Sequence, residues 1–244
     1  MAEPAGRPAF YALRAGGWRD YLTLLHPPYT LWHLSYVGLG WAAAPAARTD
    51  ALWWSFAAFF LAVGIGAHAL DELNGRPLRT NIPTPTLIAL AVMSVGVAAA
   101  IGVAGAARTS WWLLAFVAFG SFIVCAYNLE WFRGRFHTDT WFALAWGTFP
   151  ALTASYANAE RLSAEGLLVA AGCFALSHAQ RTLSTPVRDL RRRTRRVEGM
   201  IERADGSRQE LDAAALRAPA EAALRWLSIA LPLLATGAVV ARIA

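Results

Sequence analysis

Residues 84–107 read TPTLIALAVMSVGVAAAIGVAGAA and contain no Asp, Glu, Lys or Arg. A spanning helix needs about 20 consecutive apolar residues to cross the hydrocarbon core of a bilayer, and this stretch supplies them. Working outward, the windows Ala51–Leu70, Thr109–Leu129 and Thr140–Ala159 are equally free of those four residue types. Leu22–Ala47 is free of them too, although it holds His26 and His33; Leu167–Thr185 carries Arg181, and Trp226–Ile243 completes the set. The expectation is an all-α polytopic membrane helical bundle of about seven transmembrane helices.

Composition agrees. The chain has 244 residues, 57% hydrophobic and 16% charged, and a mean hydropathy of +0.38. An ordinary soluble domain carries more charge. Every basic residue is arginine, which excludes lysine Schiff-base or amine-nucleophile chemistry. Cys125 and Cys173 fall in apolar windows, where small-residue packing rather than a disulfide is expected. No cleavable signal peptide is expected, because the first apolar segment lacks a small-residue cleavage site with a polar sequel. Arg7, Arg14, Arg19, then Arg76, Arg79, then Arg133, Arg135, then the cluster from Arg188 to Arg217 alternate with connections holding only Arg48, Arg108 or Arg161. By the positive-inside rule this predicts a multi-pass protein of the cytoplasmic (inner) membrane, N-terminus inside and C-terminus outside.

The predicted organisation is a cytosolic N-terminal arm (1–20), a six-span bundle (21–185), a basic cytosolic insertion (186–218) and a C-terminal transmembrane helix (219–244). Within the insertion, Ala204-Asp205-Gly206-Ser207 predicts a hairpin turn, and Asp212 a helix cap. The run Arg188–Arg196 is expected to meet anionic lipid headgroups. No nucleic-acid fold accompanies it, so no nucleic-acid partner is expected.

Polar residues gather at one side of this bundle. His68, Asp71 and Glu72 stand at i, i+3 and i+4, on one helical face. Ionisable groups at that depth are costly and are functional candidates by default. Oxygen ligands suit Mg²⁺ held with substrate phosphates; a histidine ligand shifts the preference towards Mn²⁺ or Zn²⁺. Neighbouring arginine forks suit a diphosphate. A polar mouth over an apolar bundle fits an amphiphile, with membrane lipids around it.

Over residues 20–195 the chain resembles the UbiA superfamily of intramembrane prenyltransferases. Asp71 matches the second acid of that family's Asn-Asp-x-x-Asp-x-x-x-Asp motif, and Arg76-Pro77-Leu78-Arg79-Thr80-Asn81-Ile82-Pro83 is similar to the Arg-Thr-x-x-Pro stretch that follows it. His26-Pro27-Pro28-Tyr29-Thr30-Leu31 resembles the Arg-Pro-x-Thr-Leu opening of the first helix. Tyr127 to Arg135 is similar to the Tyr-x-x-x-Lys-Arg segment, and Arg181-Thr182-Leu183 and Arg188-Asp189 fall where the second acidic motif stands. Ala67, His68 and Gly75 replace acidic-motif residues, and Ser177-His178-Ala179-Gln180-Arg181 replaces most of the second motif.

The resemblance implies transfer of a prenyl group from a polyprenyl or other lipid diphosphate in a cytosol-facing cavity. It implies His68, Asp71, Glu72 and His178 as catalytic residues, with a metal on Asp71, Glu72 and His68. It implies Asn74, Arg76, Arg79, Tyr127, Arg133, Arg135, Arg181 and Arg188 as substrate-binding residues. Tyr127, Tyr36 or Trp32 would shield an allylic cation. Two other readings stay open: a non-catalytic lipid-binding or scaffold protein that lost the metal–diphosphate clamp, and a His/carboxylate metalloenzyme acting on a lipid.

Overall fold

The computed structural model describes residues 7–46 and 48–244. Residues 1–6 of the expected arm and Ala47, the end of the first apolar window, lie outside the described residues. Helix accounts for 74% of the described residues, in keeping with an all-α fold. In chain order the helices are α1 (Trp18–Leu24), α2 (Pro27–Ala43), α3 (Thr49–Leu73), α4 (Thr84–Arg108), α5 (Leu113–Asn128), α6 (139–159), α7 (Ala164–Arg192) and α8 (Ala213–Ile243). Two of them contain π-helical segments, Phe60–Ala67 in α3 and Ala143–Thr148 in α6.

Local chemistry explains the boundaries. Pro27 fits the first turn of α2, where its missing N–H would have no partner. Thr138, Ser163 and Asp212 cap α6, α7 and α8 by accepting from backbone N–H groups three residues on. The expected hairpin forms: β1 (Met200–Glu202) pairs antiparallel with β2 (Arg208–Glu210). Its turn uses Gly206 at φ 81 and an Asp205 carboxylate accepting from the Ser207 N–H at 2.9 Å. The expected border at 186 is not a helix end, since α7 runs through Pro186 to Arg192. A proline removes one ladder bond but does not end a helix whose neighbours hold it.

Three helices, α3, α4 and α8, are long and apolar enough to cross a membrane. The other expected spans do not reach that standard among the described residues. α2 and α5 have only 17 and 16 residues, and α7 is strongly charged towards Arg192. The exposed sides of α4 and α8 are apolar, with Val92, Met93, Leu233 and Leu234 all open.

Consecutive long helices alternate in direction. At one end Arg242 Nη2 donates to the Ala44 carbonyl at 2.8 Å, the Arg48 N–H donates to Asn158 Oδ1 at 2.7 Å, and Ser110 and Tyr156 share a 3.0 Å hydrogen bond. The opposite end therefore collects the C-terminal ends of α3, α5 and α7 with the starts of α2, α4, α6 and α8. Helix α2 is central, packed on α3, α6, α7 and α8. Its Trp32, Tyr36, Val37 and Trp41 are fully buried. A Cβ at Gly40 would lie 2.0 Å from the Ala151 carbonyl oxygen, so α2 and α6 meet backbone to backbone.

That contact is testable. Gly40→Val should destabilise the purified protein by about 1–3 kcal/mol, the usual cost of overpacking. Gly96→Ala, where nothing lies within 4 Å of the added carbon, should leave the thermal midpoint in detergent unchanged.

Candidate anion-binding cavity

The arginine-rich end holds a cavity of ≈ 490 Å³. Its walls come from the start of α2 (His26, Tyr29, His33), the end of α3 (His68, Asp71, Asn74) and the end of α5 (Tyr127, Asn128). The start of α6 adds Phe142 and Trp146, and the last turns of α7 add Gln180, Arg181, Ser184, Arg188, Arg191 and Arg192. The segment from Pro8 to Tyr11 adds a further part of its wall.

Both π-helical segments abut this cavity. His68 directly follows the one in α3 and turns its Nδ1 to the Gly64 carbonyl, 3.1 Å away. The one in α6 contains Trp146, whose carbonyl lies 3.0 Å from His33 Nδ1. π segments shift the hydrogen-bond ladder and free carbonyls for side chains, and they recur at functional sites.

Histidines line one wall. The His26 ring stacks on His68 with centroids 4.1 Å apart and planes 12° from parallel. Tyr11 Oη lies 2.9 Å from His26 Nδ1. His137 stacks on Tyr127 at 4.5 Å, with its Nδ1 3.0 Å from the Tyr127 carbonyl. Phe142 and Trp146 close the inner wall around Tyr127.

The basic groups differ in how they are satisfied. Arg191 forms a forked pair with Glu221 at 2.5 and 2.9 Å. Arg181 pairs with Asp139 at 2.8 Å and lies over the Phe142 ring. Arg188 has no carboxylate partner among the described residues; its side chain donates to Thr185 Oγ1 at 3.0 Å. Arg192 likewise lacks one, donating from Nε to the Pro8 carbonyl at 3.1 Å. Arg188 lies beyond the apolar window that ends at Thr185. Burial, and after it the like charge of Arg181, pulls its guanidinium below the ordinary arginine value.

Three buried side-chain atoms lack a hydrogen-bond partner among the described residues: His26 Nε2, Tyr127 Oη and Gln180 Oε1. All three belong to residues that line this cavity. Orphaned polar atoms are rare in folded proteins and mark places that expect a partner.

Of the residues expected from sequence, His68, Asp71, Asn74, Tyr127, Arg181 and Arg188 share the cavity. The others lie elsewhere, each for a physical reason. Glu72 is fully buried and faces the loop that follows α3. It accepts from the Leu78 N–H at 2.9 Å, and from the Thr80 N–H and hydroxyl at 2.8 Å each. Its oxygens are consumed in holding that loop, which corrects the expectation that it shares a metal with Asp71. Arg76 donates to the carbonyls of Thr80 and Ile82 at 3.3 and 2.6 Å and to Thr84 Oγ1 at 2.9 Å, closing the same loop. Arg79, Arg133 and Arg135 are exposed and outside the cavity lining. His178 is exposed too: α7 turns Ser177, Gln180, Ser184 and Val187 inward, and His178 lies off that stripe.

Trp32 and Tyr36 sit in the bundle core instead of the cavity wall, with the Trp32 indole N–H donating to the Tyr36 oxygen. The basic run divides. Arg188, Arg191 and Arg192 face the cavity and its rim, whereas Arg195 and Arg196 are exposed.

The donor set does not fit the two-site Mg²⁺–diphosphate clamp that the resemblance implies. A two-site clamp needs more carboxylates than the one or two that hold a single Mg²⁺ with substrate phosphates. With Glu72 turned away, Asp71 is the one carboxylate at the cavity head, and Glu130 and Asp189 stand half-exposed at the rim. Among the described residues no group of three or more His, Cys, Asp and Glu side chains comes together as a metal site. Stacked His26 and His68 rings direct their nitrogen lone pairs side by side rather than to a common point, which suits Zn²⁺ or Mn²⁺ no better.

Comparison with known proteins adds no relative: no family model, no curated protein and no solved structure matches the chain.

The role of Glu72 can be separated from that of Asp71. Glu72→Gln removes a charged acceptor from three buried donors and should cost about 1.5–3 kcal/mol. It should also open the 74–83 loop to limited proteolysis. Asp71→Asn, whose side chain has no hydrogen-bond or ion-pair partner among the described residues, should leave both the thermal midpoint and the cleavage pattern close to wild type.

Proposed function

We propose that this protein is an integral membrane protein of seven spans, with its N-terminus and the arginine-rich cavity on the cytosolic side of the inner membrane. It binds a polyprenyl or other lipid diphosphate, with the head in the cavity and the tail among the helices, and transfers the prenyl group. The observation that carries this reading is one cavity that joins two guanidiniums without carboxylate partners, Arg188 and Arg192, to an aromatic inner wall of Tyr127, Phe142 and Trp146. Half-buried cations held only by neutral acceptors suit an anion, and the aromatic wall suits the carbon chain attached to it.

Transfer is the chemistry that the UbiA resemblance implies. The bond between the allylic carbon and the diphosphate oxygen breaks with its electron pair leaving on the diphosphate. Arginine stabilises the charge that develops there. The allylic cation is shielded by the ring faces of Tyr127 and Trp146 and is captured by a nucleophilic atom of the acceptor. The acceptor's proton passes to the carboxylate of Asp71.

A second reading, a lipid-diphosphate-binding protein without transfer, is favoured by the engagement of Glu72 in the 74–83 loop, which leaves a single acid at the cavity head.

Membranes carrying the protein should retain radiolabelled prenyl diphosphates and release inorganic diphosphate when supplied with acceptor extracts. Asp71→Ala should lower release at least about a hundredfold, the usual worth of a general base, and leave retention unchanged. Retention without release would establish the second reading. Absence of retention would overturn both.

A further inference from the structure

We infer that the diphosphate is gripped directly by the guanidiniums of Arg188 and Arg192, with the Tyr127 hydroxyl and the Gln180 amide completing its hydrogen bonds, and without a divalent cation. This rests on the lipid-diphosphate reading above and specifies how the head is held.

Charge comes first. Four arginines of α7 line the cavity: Arg191 is neutralised by Glu221 and Arg181 by Asp139, but Arg188 and Arg192 have only neutral acceptors. A guanidinium held by a hydroxyl or a carbonyl exchanges that neutral acceptor readily for a phosphate oxygen, because charge-assisted hydrogen bonds are about twice as strong. Arg188 and Arg192 stand at i and i+4 on α7, so both forks reach one ligand from the same helical face.

Polar satisfaction comes second. Tyr127 is 4% exposed and Gln180 3%; both residues line the cavity, and each has one buried polar atom without a hydrogen-bond partner among the described residues. A hydroxyl donates one hydrogen bond, and a side-chain amide presents either its oxygen or its N–H₂. His26, whose Nε2 is also unpartnered, lines the same cavity; phosphate oxygens can accept from the Tyr127 hydroxyl and from the Gln180 amide when its N–H₂ is presented.

Metal requirement comes third. A divalent cation would enter a cavity head already lined by arginine and balanced by Asp71 alone. The positive charge of Arg181, Arg188 and Arg192 around that head disfavours a bound Mg²⁺. Arginine forks match a diphosphate in geometry as well as charge, so the metal's usual work is done by side chains.

The test is binding of tritiated farnesyl diphosphate to the full-length protein in detergent, with Mg²⁺ in one arm and EDTA in the other, and inorganic diphosphate as competitor. The expected affinity is the same within about twofold in both arms. Arg188→Gln and Arg192→Gln should each weaken it about tenfold, the worth of one charge-assisted hydrogen bond, at an unchanged thermal midpoint. Tyr127→Phe should weaken it less. Competition by inorganic diphosphate would show that the head group carries recognition; failure to compete would show that the lipid tail is needed as well and leaves the arginine effects decisive. Binding seen only with Mg²⁺ would overturn this inference and leave the lipid-diphosphate reading standing. Binding in neither arm would overturn that reading itself. Binding in EDTA that ignores both arginine substitutions would also overturn the inference, and if either variant fails to fold, the two arms on the wild-type protein still decide it.

Discussion

The carboxylate of Glu72 organises the arginine-rich end of the bundle. One side chain receives the Leu78 N–H and both donors of Thr80, and so holds the path by which the chain turns from α3 into α4. The same loop is tied to the N-terminal segment, because the buried Asp20 accepts from the Asn81 N–H at 2.9 Å and the Gly16 N–H at 2.9 Å. Arg76 closes the third side through loop carbonyls. With α3 anchored in this way, its His68 and Asp71 are held at the cavity. The N-terminal segment is in turn held at the cavity wall through Tyr11 and the Pro8 carbonyl.

The cavity then follows from a separation of tasks among residues of the same type. Glu72, Glu221 and Asp139 are spent on structure, each against a defined partner. Asp71, Arg188 and Arg192 line the cavity without a direct ion pair among the described residues. The cavity they line is walled by Tyr127, Phe142 and Trp146, so charged and aromatic groups meet in one volume.

Much of the helical architecture was legible because it rests on composition over long windows. An uncharged stretch such as 84–107 has few alternatives to a helix, and Thr84–Arg108 is one. The turn at Asp205-Gly206 and the cap at Asp212 were legible because each depends on one residue and its immediate neighbours. The gathering of the α3, α5 and α7 ends followed from strict alternation of direction. What could not be read is which member of a polar cluster meets which partner. Asp71 and Glu72 are adjacent, and nothing in their spacing tells that Glu72 has the Thr80 donors within reach while Asp71 has none. His178 and Arg181 share a helical turn, yet only Arg181 lines the cavity. The segment from Pro8 to Tyr11 has no periodicity and contributes a wall all the same. These outcomes are set by contacts between residues far apart in the chain.

The π-helical segment of α3 has a consequence for how this helix can change. A helix advances about 100° per residue, so a single residue accommodated within Phe60–Ala67 re-phases everything after it relative to everything before it. The outer half of α3 keeps exposed Trp53 and Trp54 towards the surroundings, while the inner half aims His68 and Asp71 at the cavity. The segment acts as a gear offset between two faces that one regular helix would have to align. Loss of one residue there would leave both halves helical and equally apolar, and would swing the histidine and the carboxylate together out of the site.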